Sequence, residues 1–149
     1  MAIRQIRTKG DPLLRKRCQE VIVIDTTIHQ LLRDMVETLY HTKNATGLAA
    51  CQIGILKRLV VIRIGKKWIK LINPKLIKQS GRQECIEGCL SIPHVFGRTI
   101  RPQKVTIQAL NEKGEKVIFQ GEGELAKCLC HEIDHLDGIL FIDKVIEFL

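Results

Sequence analysis

The chain has 149 residues, of which 45% are hydrophobic and 27% charged, a composition typical of globular proteins. This length predicts one domain spanning residues 1–149. No apolar run is long enough to cross a membrane, and the basic segment at residues 1–17 lacks the apolar stretch of a signal peptide. The six cysteines do not have the spacing of a disulfide framework, so we expect a reducing, cytoplasmic location.

The formal net charge is +8, with 24 basic residues against 16 acidic ones. A basic surface favours polyanionic partners. However, aromatic residues make up only 4% of the chain, and no nucleic-acid-binding motif accompanies the charge. A solvated basic surface explains the composition equally well, so we expect no DNA partner and at most weak attraction to an RNA-rich partner.

The first predicted element is an amphipathic helix over residues 26–42. Apolar residues from Ile28 to Leu39 recur there at spacings of three and four, which is typical of a helix that buries one face. Asp25 or Thr26 can cap its start.

Four strands are predicted from runs rich in β-branched and other apolar residues, at positions 58–64, 68–72, 105–110 and 116–120. A turn at residues 65–67 joins the first two, and the last two form a hairpin around residues 111–114. Pro74, Pro93 and Pro102 mark loops or edge positions.

A second helix is predicted over residues 124–136, which contain neither proline nor glycine, with Gly138 placed for a left-handed C-terminal cap. Its last turns contain the pattern HExxH, in which the two histidines are His131 and His135. Residues four apart lie on one face of a helix, so both imidazoles can reach one metal ion. Glu132 then stands beside the ion, placed to transfer a proton.

A third ligand is needed, and the residues after the helix do not supply one. In the pattern HExxHxxGxxH the third histidine position is occupied in this chain by Phe141. Cys89 is the best upstream candidate, because Gly88 before it allows close approach of the backbone. Two imidazoles and one thiolate suit Zn(II) or Fe(II) and leave a fourth position for water, which is the arrangement of a hydrolytic centre.

Two alternatives remain open at this point. One is a closed structural zinc site with Cys128 as fourth ligand, since this residue lies on nearly the same helix face as His131. The other is a peptidase that uses the same centre on an internal amide. Cys130 points roughly 100° away from His131 on the helical wheel, so we do not expect it to be a ligand.

These elements predict an α+β fold, in which mostly antiparallel strands are packed around a C-terminal metal-binding helix, with one N-terminal amphipathic helix. Glu87 can pair with Arg101 as a brace for its loop. Asp134 and Asp137 could support the metal ligands from behind or lie at the surface, and we expect the surface for both.

A further stretch, Gly47-Leu48-Ala49-Ala50-Cys51-Gln52-Ile53-Gly54, is weak evidence alone. Together with EGCLS around Cys89 and HEIDHLDG from His131, in this order, it closely resembles the peptide deformylase family. The resemblance covers essentially the whole chain. It implies a bacterial-type cytoplasmic hydrolase that removes the formyl group from the N-terminal formylmethionine of newly made proteins and releases formate.

The resemblance also implies a metal centre. Its ligands would be Cys89, His131 and His135, with Glu132 as general acid and base. The ion would often be Fe(II) in the cell, and Zn(II), Ni(II) or Co(II) can occupy the same site.

The remaining roles concern the substrate. The side-chain amide of Gln52 and the backbone N–H of Leu90 would hold the developing oxyanion, and Gly47 would offer backbone hydrogen bonds to the peptide. The natural partners would be formylmethionyl N-termini of nascent peptides. Some relatives dock on the ribosome through a longer basic C-terminal helix, for which residues 145–149 are too short. The net charge of +8 still makes weak ribosome association a hypothesis for this chain.

Three positions depart from the family pattern. Ala45 stands where a glycine is usual, Cys51 where a proline is commoner, and Cys130 where a glutamine commonly precedes HExxH. An alanine would be strained if its φ were positive, unless Asn44 takes the turn instead. We expect these changes to affect catalytic efficiency more than the type of reaction.

Overall fold

A computed structural model describes residues 2–149, and these residues form two α-helices and eight strands. The helices are α1 (Thr26–Tyr40) and α2 (Glu124–Leu136). The strands are β1 (Gly47–Ala49), β2 (Leu59–Ile64), β3 (Lys67–Ser80), β4 (Gln83–Cys89), β5 (Ile92–Arg101), β6 (Lys104–Leu110), β7 (Lys116–Glu122) and β8 (Glu147–Phe148). Short 3-10 turns cover Pro12–Arg15, Ala50–Ile53 and Phe141–Asp143.

The strands form two antiparallel sheets. One has the order β1-β2-β3-β6-β7, and the other has the order β4-β5-β8. The predicted α+β fold is therefore confirmed, including the helix near the C-terminus. No helix within residues 2–149 combines the length and the apolar character needed to cross a bilayer.

The two helices cover opposite faces of the five-stranded sheet. Leu59 and Val61 of β2 are buried in a cluster with the apolar face of α1, whereas Val60 and Ile62 are buried in a cluster with α2. Successive side chains of a strand point to opposite faces, so a strand covered on both sides reads as a continuous apolar run. This geometry explains the unbroken apolar segment of β2.

The helix predictions agree with the structure. α1 begins as predicted, with the Asp25 carboxylate accepting a hydrogen bond from the Ile28 N–H at 3.1 Å, and ends at Tyr40 rather than at residue 42. α2 has the predicted bounds, and Gly138 follows it with a φ of +75°.

The strand predictions were incomplete. β3 continues to Ser80, well past residue 72, and the sequence did not predict β4 and β5. Pro74 lies inside β3, where the pairing with β6 shifts register, and such an irregularity tolerates a residue without an N–H. Pro93 lies in the part of β5 that β8 does not pair with, and Pro102 follows the end of β5.

Candidate metal centre

The structure brings the three predicted metal ligands together. Cys89 ends β4 at the turn into β5, and α2 directs His131 and His135 towards it. Their ligand atoms all lie within 4.8 Å of one another, and the Cys89 Sγ is 3.3 Å from the His135 Nε2. This donor set matches the one that Zn(II) and Fe(II) prefer.

The surroundings of the two imidazoles suit a cation. His131 donates through Nδ1 to the Glu87 Oε1 at 2.7 Å, which leaves its Nε2 for a ligand bond. Burial lowers the pKa of His135 to about 3, so this ring is neutral and keeps its lone pair. Burial would also lower the pKa of His131, but Cys89 and Glu87 raise it to about 10. The surroundings of His131 therefore stabilise a positive charge on or beside its ring.

A network of charged side chains supports His131 from behind. Glu87 accepts hydrogen bonds from the Arg101 Nε at 2.7 Å, from the Arg101 Nη2 at 2.9 Å and from the Thr99 hydroxyl. Burial would raise the pKa of Glu87, but the hydrogen bonds from His131 and Arg101 hold it below its usual range. Glu87 is thus a charged acceptor that orients the imidazole.

The same arginine links the network to the surface of α2. The Arg101 Nη1 donates to the Asp134 Oδ2 at 2.7 Å, and the Asp134 side chain is only 19% exposed. The expectation that Asp134 lies free at the surface was therefore wrong, whereas the pairing of Glu87 with Arg101 is confirmed. Asp137 is half-exposed and accepts from the Arg58 Nη1 at 2.9 Å.

Glu132 is buried against Gly47. Its Oε1 has no hydrogen-bond partner within residues 2–149, and burial raises its pKa to about 7. A Cβ at position 47 would lie 2.7 Å from the Glu132 Oε2, so only glycine fits there without displacing the carboxylate. The unpartnered oxygen leaves this carboxylate ready to accept a proton from a bound molecule.

Gln52 is held in a fixed orientation beside the thiol. Its Oε1 accepts from the Ala49 N–H at 2.9 Å, and its Nε2 lies 3.2 Å from the Ser91 Oγ and 3.6 Å from the Cys89 Sγ. The amide N–H₂ group therefore faces Cys89, one of the predicted metal ligands. Leu90 lies in the turn between β4 and β5.

An open pocket of about 440 Å³ joins these groups. Its lining includes the candidate residues Gly47, Gln52, Cys89, Leu90, His131 and Glu132. His135 is fully buried beneath them. Apart from His135, the predicted catalytic, substrate-binding and metal-binding positions thus border one cavity that a small amide group can enter.

The other cysteines of α2 are not part of the metal-binding group, although Cys128 lines the same pocket. Within the part of the chain that the structure describes, the group able to hold a metal contains three residues, and neither Cys128 nor Cys130 belongs to it. Burial raises the pKa of each thiol to about 11, and the Cys128 Sγ lies 3.3 Å from the Thr46 Oγ1. The closed four-ligand zinc site is not supported.

Two of the three departures from the family pattern now have a structural context. Asn44 has a φ of +59° and Ala45 does not have a positive φ, so the asparagine takes the left-handed turn. Cys51 is fully buried, with its Sγ 3.4 Å from the His135 carbonyl oxygen. It fills a tightly packed position behind the metal helix.

Sequence reasoning missed the full extent of the network around His131. Thr99 and Asp134 both contribute to it. Thr99 stands in no recognisable motif, and Asp134 lies within HEIDHLDG at a position that was expected at the surface. A signal was present in the alternation of β4 and β5, where Glu87 and Arg101 occupy inward positions. Two opposite charges at inward positions of neighbouring strands indicate a buried pair.

A buried carboxylate that faces an open pocket beside three nitrogen and sulfur donors is typical of metal-dependent hydrolases of the HExxH class. The sequence model of one such family, described as polypeptide deformylase, matches residues 3–148. The chain belongs to the peptide deformylase family.

Individual relatives agree with this assignment. The chain is 58% identical to peptide deformylase 2 of Clostridium acetobutylicum, with 100% of this chain and 99% of the relative covered. It is 56% identical to a peptide deformylase of Acetivibrio thermocellus, with 100% and 87% covered. The crystal structure of peptide deformylase from Thermotoga maritima superposes with a TM-score of 0.94 at 36% identity, covering 97% of this chain and 99% of that one.

Members of this family are metalloenzymes that remove the N-formyl group from peptides beginning with formylmethionine. The predicted family, enzyme class and reaction are therefore confirmed.

Proposed function

We propose that this deformylase holds one divalent cation through Cys89, His131 and His135, with Glu132 as its general acid and base. The observation that carries the proposal is the convergence of three ligand atoms within 4.8 Å beside a buried, unpartnered carboxylate oxygen. When bound, the cation would polarise the formyl carbonyl and lower the pKa of the attacking water.

We assign a residue to each step of hydrolysis. Glu132 accepts a proton from the water as the water attacks the formyl carbon, and later delivers that proton to the leaving amine. The Gln52 amide and the Leu90 N–H donate to the oxygen that gains negative charge; one such donor is typically worth about 3 kcal/mol of barrier. The C–N bond breaks, and formate and a free N-terminal amine are the products.

We propose that the substrate backbone lies along β1. This strand is at the edge of the five-stranded sheet, so one of its sides is not paired with β2. Gly47 packs closely against Glu132. An extended peptide that adds to the unpaired edge of β1 by backbone hydrogen bonds would therefore begin beside this carboxylate.

For the metal, we propose Fe(II) in the cell. Its support is the soft donor set, which also accommodates Zn(II), Ni(II) or Co(II). Cys89 as thiolate ligand makes an iron centre oxidisable, so activity is expected to decay in air when iron is bound.

We further propose that residues 1–149 act as one catalytic domain in the cytoplasm, where nascent chains begin. Weak association with ribosomes is supported only by the net charge of +8. Co-sedimentation with ribosomes at low salt that disappears at high salt is the expected result.

The deciding experiment is metal analysis of protein purified without oxygen, combined with an assay of formate release from formyl-Met-Ala-Ala. One equivalent of metal and steady formate release are expected, with Fe(II) as the main ion. In cobalt-substituted protein, sulfur-to-metal charge-transfer absorption should be lost in Cys89→Ser and kept in Cys128→Ala. Retention of that absorption in Cys89→Ser would contradict the ligand assignment.

A further inference from the structure

A second cavity opens beside the metal pocket. It has a volume of about 770 Å³, and residues 43–46 line both cavities. The remaining walls of the second cavity come from the end of α1, the residues that follow it and the end of β2, including Tyr40 and Arg63. A molecule bound at the metal centre can therefore continue into this space, which we call the Arg63 groove.

The guanidinium of Arg63 is held in place at this groove. Its Cζ lies 5.5 Å from the ring centroids of both Tyr40 and Trp68, and its Nε donates to the Gly65 carbonyl at 3.3 Å. Its two terminal nitrogens have no hydrogen-bond acceptor within residues 2–149. A guanidinium that is held in this way, with both terminal nitrogens free, can bind a carboxylate through two parallel hydrogen bonds.

The charge around the groove is not balanced by acidic groups. Lys43 lines the groove, and Lys66 and Lys67 are exposed in the adjoining turn. In the described part of the chain, neither these lysines nor Arg63 lie within ion-pair distance of a carboxylate. Lys70, by contrast, is 3.3 Å from Glu112. His41 lines the groove, and its Nε2 lies 3.1 Å from the Glu37 Oε1.

The direction of β1 determines which part of a substrate meets the groove. The formyl end must lie by Glu132, next to Gly47, and the groove lies towards residue 43. A peptide that runs this way is antiparallel to β1 and advances about 3.3 Å per residue. Residues 41–44 form turns ahead of β1, with Asn44 at a φ of +59°, so the extended stretch beside the substrate runs only from position 47 to position 45. The third and later residues of the substrate then reach the groove.

We propose that the Arg63 groove binds acidic side chains at the third to fifth positions of formylmethionyl peptides, with Arg63 as the main contact. This inference rests on the proposed deformylase function and its orientation of the substrate. The ligand is a peptide carboxylate. Because the groove is separate from Glu132 and Gln52, an acidic side chain bound there should lower KM and leave kcat unchanged.

The test compares matched peptides, formyl-Met-Ala-Ala-Asp-Asp-Ala-amide and its Asn-Asn and Lys-Lys counterparts. At low salt the KM of the Asp-Asp peptide is expected to be about three- to tenfold lower than that of the Asn-Asn peptide, because each partly exposed ion pair contributes modestly. The Lys-Lys peptide should show the highest KM. The kcat values should be similar, and the differences should vanish at high salt.

Substitutions test whether the difference in KM between the Asp-Asp and Asn-Asn peptides arises in the groove. Arg63→Gln should bring the KM of the Asp-Asp peptide to that of the Asn-Asn peptide, and Lys43→Gln should reduce the difference in part. Arg82→Gln is the matched control, because Arg82 is exposed in the turn between β3 and β4 and carries the same charge. It should leave the difference intact.

Several results would overturn the proposal. Equal KM values for the three peptides would do so, and so would an equal effect of Arg82→Gln and Arg63→Gln. In a competition experiment, an RNA oligonucleotide and a free acidic peptide can each displace the Asp-Asp peptide. If the RNA does so at the lower concentration, the groove is a nucleic-acid site and the proposal is wrong. If no formyl peptide is hydrolysed, the proposed function fails, and calorimetric binding of the same peptides decides the groove separately.

Discussion

The two sides of the metal pocket differ in how they use charge. The ligand side comes from β4 and β5 and places Cys89 in front of the buried pair Glu87 and Arg101. The substrate side comes from β1 and the turn after it and offers Gly47 and Gln52, which are uncharged. α2 lies between them and contacts both sheets.

This difference follows from what each side must hold. A cation and its imidazole ligand are stabilised by a fixed negative charge behind them, which only a paired and hydrogen-bonded carboxylate can provide at low energetic cost. A developing oxyanion needs dipoles that are already oriented, and a peptide backbone needs close approach. Changes on the ligand side should therefore alter metal affinity, and changes on the substrate side should alter turnover at constant metal content.

The largest effect is expected at Glu132, which serves both sides. Glu132→Gln keeps the shape of the side chain and removes its ability to accept a proton, so kcat should fall on the order of a thousandfold. The measurement is formate release at matched metal content. Glu122→Gln, at an exposed position before the same helix, is the control and should retain activity. A Glu132→Gln enzyme with near-normal kcat would refute the assigned role.

The next largest effect is expected on the substrate side. Gln52→Leu removes the proposed oxyanion donor, so kcat should fall about 100-fold while metal content stays at one equivalent. Metal analysis and steady-state kinetics on the same samples check this. Gln79→Leu, at an exposed position of β3, is the matched substitution and should have no effect. Loss of metal in Gln52→Leu would contradict the division between the two sides.

A change on the ligand side should show the opposite pattern. Glu87→Gln removes the charge behind His131, so metal affinity should fall about 10- to 100-fold, as measured by competition with a chelator. The metal-free variant should also lose about 3 kcal/mol of unfolding free energy in urea, because the buried Arg101 loses a charged partner. Glu84→Gln, exposed on the same strand, is the control. Unchanged affinity in Glu87→Gln would mean that His131 is oriented by packing alone.

The smallest effect is expected from the close contact at Gly47. Gly47→Ala places a Cβ about one ångström too close to the Glu132 carboxylate, so kcat should fall about tenfold with metal retained. Ala45→Gly is the comparison, and it should change kcat little because Asn44 already takes the left-handed turn. A Gly47→Ala variant with lower metal content and normal kcat per metal would show that the added Cβ disturbs the ligands rather than Glu132.

Local patterns were enough for the helices and for the histidine pair. α2 was predicted within its observed bounds because a helical period of apolar residues, flanking glycines and the HExxH spacing all lie within one short segment. The start of α1 follows from a single side chain, since Asp25 caps it. These features depend on neighbours in the chain, so they can be deduced without knowing the fold.

β4 shows why other elements could not be predicted. Its inward positions include Cys85 and the charged Glu87, whereas the apolar Ile86 between them is 55% exposed. The usual alternation of apolar and polar residues is inverted in this strand, and it is stable only because Arg101 from the neighbouring strand neutralises Glu87.

By itself the sequence determined which residues can bind a metal and transfer a proton, because those capacities belong to side-chain chemistry and helical spacing. Only the tertiary structure decided that Cys89 meets His135, 46 positions away, and that Gly47 leaves room for Glu132. It also decided that Arg63 stands between two aromatic rings beside the pocket. Contacts of this kind depend on how the sheets and helices pack, and no local pattern encodes a distance between segments far apart in the chain.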